Sequence, residues 1–270
     1  MENRGDQDIK EDFILCRDCE RRLSFLEGLY ANEITQKIEE KRFSQNFVRA
    51  NLQGGLYSLE SKRLHPIVVQ LLLQSNIWRA AISSQQTYDH FNPSDAIREA
   101  MRENLDSCLP AYSEIENGLN PNDWNSSAQE LAGSFQAVDI LVLKAENLQN
   151  KSMTYGYIDS KSVNPYEIIL NEYLLFVFED SSQWQDNFFE FKNEIPTEQL
   201  LMQGPNAAKI GIITNQRFMR LIDKIKELAL KKRRENARDR CLFQLMLRNR
   251  PFSQQELEYC IDQRMKQFKG

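Results

Sequence analysis

The sequence predicts a helix-rich α+β fold, with a helical N-terminal region, a small antiparallel sheet and C-terminal helices. Two observations predict the helices: apolar residues recur at three- and four-residue steps between residues 17 and 42, and again between residues 215 and 248. A third observation predicts the sheet, because short runs rich in β-branched and aromatic residues lie between residues 137 and 213. The composition, 41% apolar and 27% charged, is typical of a globular protein.

Length, charge and cysteine usage disfavour several classes of protein. The 270 residues suffice for one large domain or two modest ones. A formal charge of −5 and a pI near 5.4 disfavour a globally basic nucleic-acid binder. The N-terminus has no secretory signal pattern and no run of about 18 apolar residues occurs, so we expect no membrane span. The five cysteines are mostly scattered, which predicts reduced thiols and a cytoplasmic location.

The first predicted helix begins at the only close cysteine pair, Cys16 and Cys19. Two thiolates at this spacing point at one centre and can hold one zinc ion, which needs four ligands. A second protomer could supply its own pair, His65 and His90 could complete the site within the chain, or a partner protein could do so. The alternative is that the pair binds no metal and is simply two small apolar residues at a helix start. A thioredoxin-like redox pair is disfavoured, since no βαβ pattern surrounds the cysteines.

One carboxylate, Glu27, lies on the apolar face of the predicted N-terminal helix. A charge at such a position needs a partner, protonation or a place at the edge of the core. The segment 67–88 is apolar on most sides, which predicts a core helix, and that segment contains the cation Arg79. We therefore predict a structural ion pair between Glu27 and Arg79. The alternatives are that Arg79 extends to the surface and that Glu27 works as a general acid or base.

The stretch 110–127 is rich in Asn, Ser, Pro and Gly, which predicts a linker. This linker would separate two regions. The first, 1–115, is helical and contains the C-x-x-C pair, and the second, 130–270, contains the sheet and the C-terminal helices. The alternative is that the two regions form one continuous domain. Before the linker, Asn92 is the predicted N-cap of a helix. The segment 44–63 is predicted to be irregular, with a turn at its two adjacent glycines.

Three segments contain the predicted strands: 137–143, 166–179 with a turn in its middle, and 209–213. Aromatic residues between the last two segments could form a platform for bases, but aromatic residues near a sheet usually belong to the core. These aromatic residues are Trp184, Phe188, Phe189 and Phe191.

The predicted helix after residue 215 contains a basic stretch, residues 231–250. Eight basic residues oppose two acidic ones there, a local charge of +6 that leaves −11 for the rest of the chain. This asymmetry predicts either a phosphate-binding face or a solvated helix face. The basic residues considered for nucleic-acid binding are Lys231, Lys232, Arg233, Arg234 and Arg238. A capping box from Ser253 to Glu256 is predicted to open the last helix.

The N-terminal residues resemble a family of uncharacterised bacterial proteins in which the segment R-x-Q-D-G-x-K-E-x-L-L-C-x-x-C-E follows an HNH-like zinc half-site. The residues that match this segment are Asn3-Arg4, Gln7-Asp8, Lys10-Glu11, Ile14-Leu15-Cys16, Cys19-Glu20 and Glu27. Ser75 to Arg79 resembles the family's S-x-x-W-R helix, and Ala96-Ile97-Arg98 resembles its next helix. The match is imperfect, because no glycine follows Asp8.

Members of that family have an earlier C-x-x-C and an S-H-I-I-P-like segment, whose histidine would be the base of a nuclease. This sequence contains neither of them, and His65 stands just before the helix that resembles S-x-x-W-R. The resemblance therefore implies the second zinc half-site without the catalytic histidine.

We therefore expect a non-catalytic binding or assembly module of a bacterial system, with a structural or vestigial zinc half-site at Cys16 and Cys19; a defence-related setting is implied only by the resemblance. The first alternative is a subunit of an HNH-like nuclease whose metal site a partner chain completes. The second is nucleic-acid binding through the helix at 231–250. No catalytic residue is predicted. The expected cofactor is zinc shared across chains, and the expected partner is another protein or a second copy of this chain.

Overall fold

The computed structural model of this protein describes residues 15–83, 91–146, 165–170, 172–180, 195–247 and 251–267. The chain divides into two compact units, residues 1–218 and 219–270. The division therefore falls inside the predicted second region and not in the stretch 110–127. Several predictions concern residues outside the described ones: the family-like residues before Leu15, His90, the aromatic residues at 184–191, and Arg248 and Arg250.

The N-terminal helix of the first unit, α1, spans Arg17–Tyr30. Four of its residues are buried along one face: Leu23, Leu26, Leu29 and Tyr30. The helix then widens into a single π-helical turn, Ala31–Thr35, and a 3-10 helix follows at Lys41–Asn46. The predicted regular helix to residue 42 is therefore too long, although its apolar stripe is buried as expected.

The central helix α2, Pro66–Ile82, is the core helix predicted from its apolar sequence. Pro66 occupies the first helical position, where no intrahelical donor is needed. Leu71 and Ile77 are fully buried although they lie on different sides of the helix. α2 is buried in this way because it packs against α1 on one side and against the next helix, α3 (Asp95–Cys108), on another.

The start of α3 differs from the prediction. Ser94 caps the helix because its side chain accepts a hydrogen bond from the Ile97 N–H, at 3.4 Å. The predicted cap, Asn92, lies two residues too early. A serine hydroxyl next to the first helical residue satisfies the free N–H groups as well as an asparagine would.

The stretch predicted as a linker folds into short helices. α4 spans Tyr112–Glu116, α5 spans Pro121–Ser127, and a 3-10 helix follows at Ala128–Gly133. Trp124 of α5 is buried, with its ring centroid 5.6 Å from that of Phe25. The prediction failed because Asn and Pro also favour helix starts, and here an asparagine caps α5 with a proline at its first position.

A six-stranded sheet in the order β1-β2-β6-β3-β5-β4 completes the first unit. The strands are β1 Phe47–Asn51, β2 Tyr57–Ser61, β3 Asp139–Ala145, β4 Tyr166–Leu170, β5 Tyr173–Phe178 and β6 Lys209–Ile213. β3 and β6 are parallel, and the other neighbouring strands are antiparallel. The helix-rich α+β fold is confirmed, but the sheet is mixed and not antiparallel as predicted, because β3 and β6 are parallel. The sheet includes strands from both sides of the predicted linker.

The β1–β2 hairpin lies in the segment predicted to be irregular. Gly54 and Gly55 have positive φ angles of 69° and 77°, which the connection between the strands requires and glycine permits. Only Phe47 of β1 is buried, so the strand lacks the alternation of apolar and polar residues that identifies strands in a sequence.

The two parallel strands are closely covered at one position, which is occupied by glycine. A Cβ atom on Gly211 of β6 would lie 2.9 Å from Leu143 Cδ2 and 2.9 Å from Leu200 Cδ1. Leu200 belongs to the short helix α6, Thr197–Leu200. The missing side chain at Gly211 therefore allows this helix to pack directly on the sheet.

The second unit contains a helical hairpin made by the later part of α7 (Asn215–Met246) and by α8 (Gln254–Gln267). The buried residues of the cluster between these two helices are Ala237, Cys241, Leu245, Leu257 and Ile261. The predicted capping box is confirmed, since the Glu256 N–H donates to Ser253 Oγ and the Ser253 N–H donates to Glu256 Oε2. Within the described ranges, no helix combines the length and the apolar character needed to cross a membrane.

A disulfide joins Cys241 of α7 to Cys260 of α8, with their Cα atoms 6.0 Å apart. The expectation that all five cysteines are reduced thiols is therefore wrong. The two cysteines are 19 positions apart in the sequence and meet only because the two helices lie side by side. The remaining cysteines, Cys16, Cys19 and Cys108, are free.

Candidate functional site

Glu27 of α1 and Arg79 of α2 meet in the first unit. Arg79 Nη2 lies 2.6 Å from Glu27 Oε1 and 2.8 Å from Asn76 Oδ1. The other carboxylate oxygen, Glu27 Oε2, has no hydrogen-bond partner among the described residues. The side chains are 43% and 30% exposed, so solvent screens the pair and its contribution to stability is at most about 1 kcal/mol.

A cavity of about 250 Å³ lies beside this pair, between α1, α2 and the β4–β5 hairpin. Its apolar wall is formed by the side chains of Leu72, Leu73, Leu170 and Leu175. Polar groups on the wall are those of Glu27, Thr35 and Asn76. A concave, mostly apolar site with a few polar groups is the usual form of a small-molecule binding site.

The π-helical turn at Ala31–Thr35 shapes one side of the cavity. The Gln36 N–H bonds to the Ala31 carbonyl at 3.1 Å, and both Ala31 and Thr35 line the cavity. Such turns are rare and are found frequently at functional sites. The sequence does not reveal this turn, because Ile34 remains buried as it would be in a regular helix.

Two largely buried tyrosines, Tyr30 of α1 and Tyr173 of β5, also line the cavity. Burial raises the pKa of both phenols, and the neighbouring Tyr30, Glu172 and Glu39 raise the pKa of Tyr173 further. Both phenols therefore stay neutral below pH about 10. The Tyr173 hydroxyl is buried without a hydrogen-bond partner in the described part of the chain, which costs roughly 1–3 kcal/mol. A bound ligand could satisfy this group.

A buried cation, Lys144 of β3, lies close to Tyr173, with Nζ 5.7 Å from the ring centroid. The side chain is 2% exposed and pairs with Glu39, and its Nζ lies 3.4 Å from Glu172 Oε1. These two carboxylates compensate the buried charge of Lys144 next to the cavity wall. Sequence analysis missed this cluster; its signal was a single lysine inside the apolar strand DILVLKA.

The two cysteines at the start of α1 form a dithiol. Cys16 Sγ lies 3.1 Å from Cys19 Sγ and accepts the Cys19 backbone N–H at 3.4 Å. Cys16 is exposed and Cys19 is partly buried. Hydrogen bonding with Cys19 lowers the pKa of the Cys16 thiol, whereas the side-chain hydrogen bond with Cys16, together with burial, raises the pKa of the Cys19 thiol.

The described residues do not complete a zinc site around this dithiol. No group of three or more His, Cys, Asp or Glu side chains that could hold a metal occurs among them. His65, one of the alternative ligands named in the sequence analysis, is not grouped with the dithiol. Its Nδ1 accepts the Ile67 N–H at 3.3 Å and its Nε2 lies 3.0 Å from Gln129 Oε1. A zinc ion shared across chains stays a prediction.

The basic residues predicted to bind nucleic acid lie on α7 in the second unit. Lys231, Arg234 and Arg238 are exposed and share one helix face, and Arg233 is partly buried. Arg234 Nη2 lies 2.9 Å from Glu258 Oε2 of α8, so this cation is already paired. The side chain of Lys232 lies outside the described part of the chain.

Comparison with known proteins finds no family model, no curated protein and no solved structure that matches this chain. The family-like residues from Ser75 to Arg79 lie on α2, and those from Ala96 to Arg98 lie on α3. Ser75 Oγ donates to the Leu72 carbonyl at 2.8 Å and Arg79 binds Glu27, so both have structural contacts. The resemblance to the HNH-like family stays a prediction.

Proposed function

We propose that this protein is a non-catalytic binding module whose ligand is a small aromatic molecule with a primary amine. The observation that supports this proposal is the cavity of about 250 Å³ in the first unit, with leucines on its walls and the Glu27 carboxylate among its few polar groups. The side chains at this site include an acceptor, an unsatisfied donor and an apolar surface, which together select the chemistry of the ligand.

The apolar walls favour a ligand with a hydrocarbon body. Leu72 and Leu73 of α2 face the same cavity as Leu170 and Leu175 of the β4–β5 hairpin. Removing about 100 Å² of ligand surface from water there would contribute roughly 2–3 kcal/mol. An aromatic body has a further advantage, because its π face can accept the O–H of Tyr173, which lacks a partner among the described residues.

The charges around the cavity favour an amine over a carboxylate. Glu27 has one oxygen bonded to Arg79 and a second that is available to accept a hydrogen bond from a ligand. A carboxylate oxygen on the cavity wall attracts a cationic hydrogen-bond donor and repels an anionic group.

The side chains at the cavity favour binding over catalysis. General acid–base catalysis works best when the pKa of the group lies near the operating pH. Burial moves the pKa of Tyr30 and of Tyr173 upward, away from neutrality. Glu27 is held by Arg79 at 2.6 Å, a contact typical of a structural or ligand-orienting carboxylate.

The experiment is calorimetric titration of the full chain with phenylbutylamine, and with phenylbutanol and phenylbutyrate as neutral and acidic analogues of similar size. We expect the amine to bind most tightly. Glu27→Gln, which keeps the shape of the side chain and removes its charge, should weaken amine binding about tenfold, or about 1.4 kcal/mol. Glu20→Gln, an exposed position on the same helix, is the matched control and should leave amine binding unchanged.

Two results would contradict the proposal. One is binding of phenylbutyrate as tight as that of the amine, because the charge around the cavity would then have no influence. The other is amine binding that Glu27→Gln and Glu20→Gln leave equally unaffected, because the ligand would then lie elsewhere.

A second candidate function, nucleic-acid binding, is favoured by the three exposed cations on one face of α7. Its test is fluorescence anisotropy with single-stranded and duplex DNA at increasing salt. Phosphate contacts predict an affinity that falls steeply with salt and is lost when Lys231 and Arg238 are both changed to glutamate. Binding that is insensitive to salt would contradict this second candidate.

A further inference from the structure

The dithiol at the start of α1 is accessible from solvent through one of its two sulfurs. Cys16 is exposed, whereas Cys19 is partly buried and lines a small cavity of about 40 Å³ together with Leu23 and Leu109. The backbone N–H of Cys19 donates to Cys16 Sγ at 3.4 Å. The first turn of a helix favours negative charge, so this bond stabilises a thiolate on the exposed cysteine.

The distance between the two sulfurs is short enough for them to form a disulfide. The observed separation of Cys16 Sγ and Cys19 Sγ is 3.1 Å. A disulfide bond is about 2.05 Å long, so its formation needs the sulfurs to approach by only about 1 Å.

We propose that Cys16 and Cys19 form a reversible disulfide by exchange with an oxidised low-molecular-weight thiol, such as glutathione disulfide. The Cys16 thiolate attacks one sulfur of the small molecule and its S–S bond breaks, so that one thiolate leaves with the bonding electron pair. A mixed disulfide then joins Cys16 to the other half of the small molecule.

The second step closes the disulfide within the chain. The Cys19 thiol gives its proton to water, and its sulfur attacks Cys16 Sγ and releases the second small-molecule thiolate. Two electrons pass from the protein dithiol to the small-molecule disulfide, and the two released thiolates take up two protons. An excess of the reduced small molecule drives the same steps backwards. This chemistry does not depend on a ligand in the cavity beside Glu27.

The test equilibrates the full chain in buffers of reduced and oxidised glutathione, blocks free thiols with an alkylating agent and identifies the linked peptides by mass. We expect the Cys16–Cys19 disulfide to increase with the oxidised fraction and to disappear when reduced glutathione is restored. Peptide analysis separates it from the Cys241–Cys260 disulfide. Absence of an intramolecular Cys16–Cys19 disulfide at every glutathione ratio would overturn the proposal.

Single variants test the roles of the two sulfurs. In the Cys19→Ser variant, glutathione forms an adduct on Cys16 that cannot resolve, and in Cys16→Ser it forms one on Cys19. We expect the adduct on Cys16 to form at least about tenfold faster, because Cys16 is exposed and has thiolate character. Cys108→Ser, which removes the buried free thiol, is the matched control and should leave the exchange unchanged. Equal rates in the two variants, or a copurifying zinc ion that protects both thiols from alkylation, would overturn the proposal.

Discussion

The two units of this chain achieve stability in different ways. In the first unit, α2 and β3 are buried on several sides, and residues such as Leu71 and Leu141 have no contact with solvent. In the second unit, five buried residues lie between two helices and a disulfide links the helices. The small core of the second unit is supplemented by a covalent cross-link, whereas the first unit relies on its large buried core.

The polar interactions of the two units differ in the same way. In the first unit, Asn104 of α3 is fully buried, and its Nδ2 donates to Gln74 Oε1 at 2.8 Å and to the Gln136 carbonyl at 2.9 Å. In the second unit, the ion pair between Arg234 and Glu258 lies at the surface. These buried hydrogen bonds link α2 and α3, whereas a surface ion pair contributes little.

The largest effect is expected from removing the disulfide of the second unit. Replacing Cys241 and Cys260 by alanine should lower the stability of the hairpin by about 3 kcal/mol, because the unfolded loop is no longer constrained. Hydrogen exchange of the α7 and α8 amides measures this loss. The Cys16→Ala, Cys19→Ala double variant is the control and should leave these amides unchanged. Unchanged exchange in the Cys241, Cys260 variant would show that the small core suffices.

A smaller loss is expected from overfilling the core of the first unit. Gly211→Ala should destabilise this unit by about 1–3 kcal/mol, because the new Cβ would lie 2.9 Å from Leu143 and Leu200. Gly28→Ala is the matched control, since no atom lies within 4 Å of its new Cβ and alanine favours the helix. Urea unfolding measures both. Equal effects of the two changes would contradict the close packing of α6 on the sheet.

The smallest effect is expected at the cavity, where the first unit is imperfectly packed. Tyr173→Phe removes the buried hydroxyl and should raise the free energy of unfolding by about 1 kcal/mol.

The same substitution should also change how the stability of the first unit depends on alkaline pH. The pKa of Tyr173 is higher in the folded chain than in the unfolded chain. The neutral phenol therefore contributes its full stability below the pKa that Tyr173 has in the unfolded chain. This contribution is lost as the pH rises toward the pKa in the folded chain. The variant should therefore lose less stability above pH about 10. Urea unfolding at neutral and alkaline pH measures both effects, and a variant less stable than wild type would contradict an unpaired hydroxyl.

Much of the fold follows from local sequence patterns. Apolar runs in the sequence predicted the positions of the strands β4, β5 and β6 and of the core helix α2. The predicted ion pair between Glu27 and Arg79 is present in the structure. These features have strong local signals, because apolar periodicity and isolated charges are properties of short segments.

The features that were missed depend on contacts between distant segments. The cavity requires α1, α2 and the β4–β5 hairpin to come together, and the Cys241–Cys260 disulfide requires two helices to lie side by side. The β1 strand is mostly exposed and has little apolar alternation, so tertiary pairing with β2 determines it. Such contacts have no signal in a single short segment.

The most direct test of the proposed function is to locate the bound amine by NMR, with leucine methyl groups labelled and assigned. Adding phenylbutylamine should shift the methyl signals of Leu72, Leu73, Leu170 and Leu175 and give intermolecular contacts to them, while the methyl signals of Leu257 in the second unit stay unchanged. Shifts confined to leucines outside the cavity, or no shifts at saturating amine, would contradict the proposal that the first unit contains the ligand site.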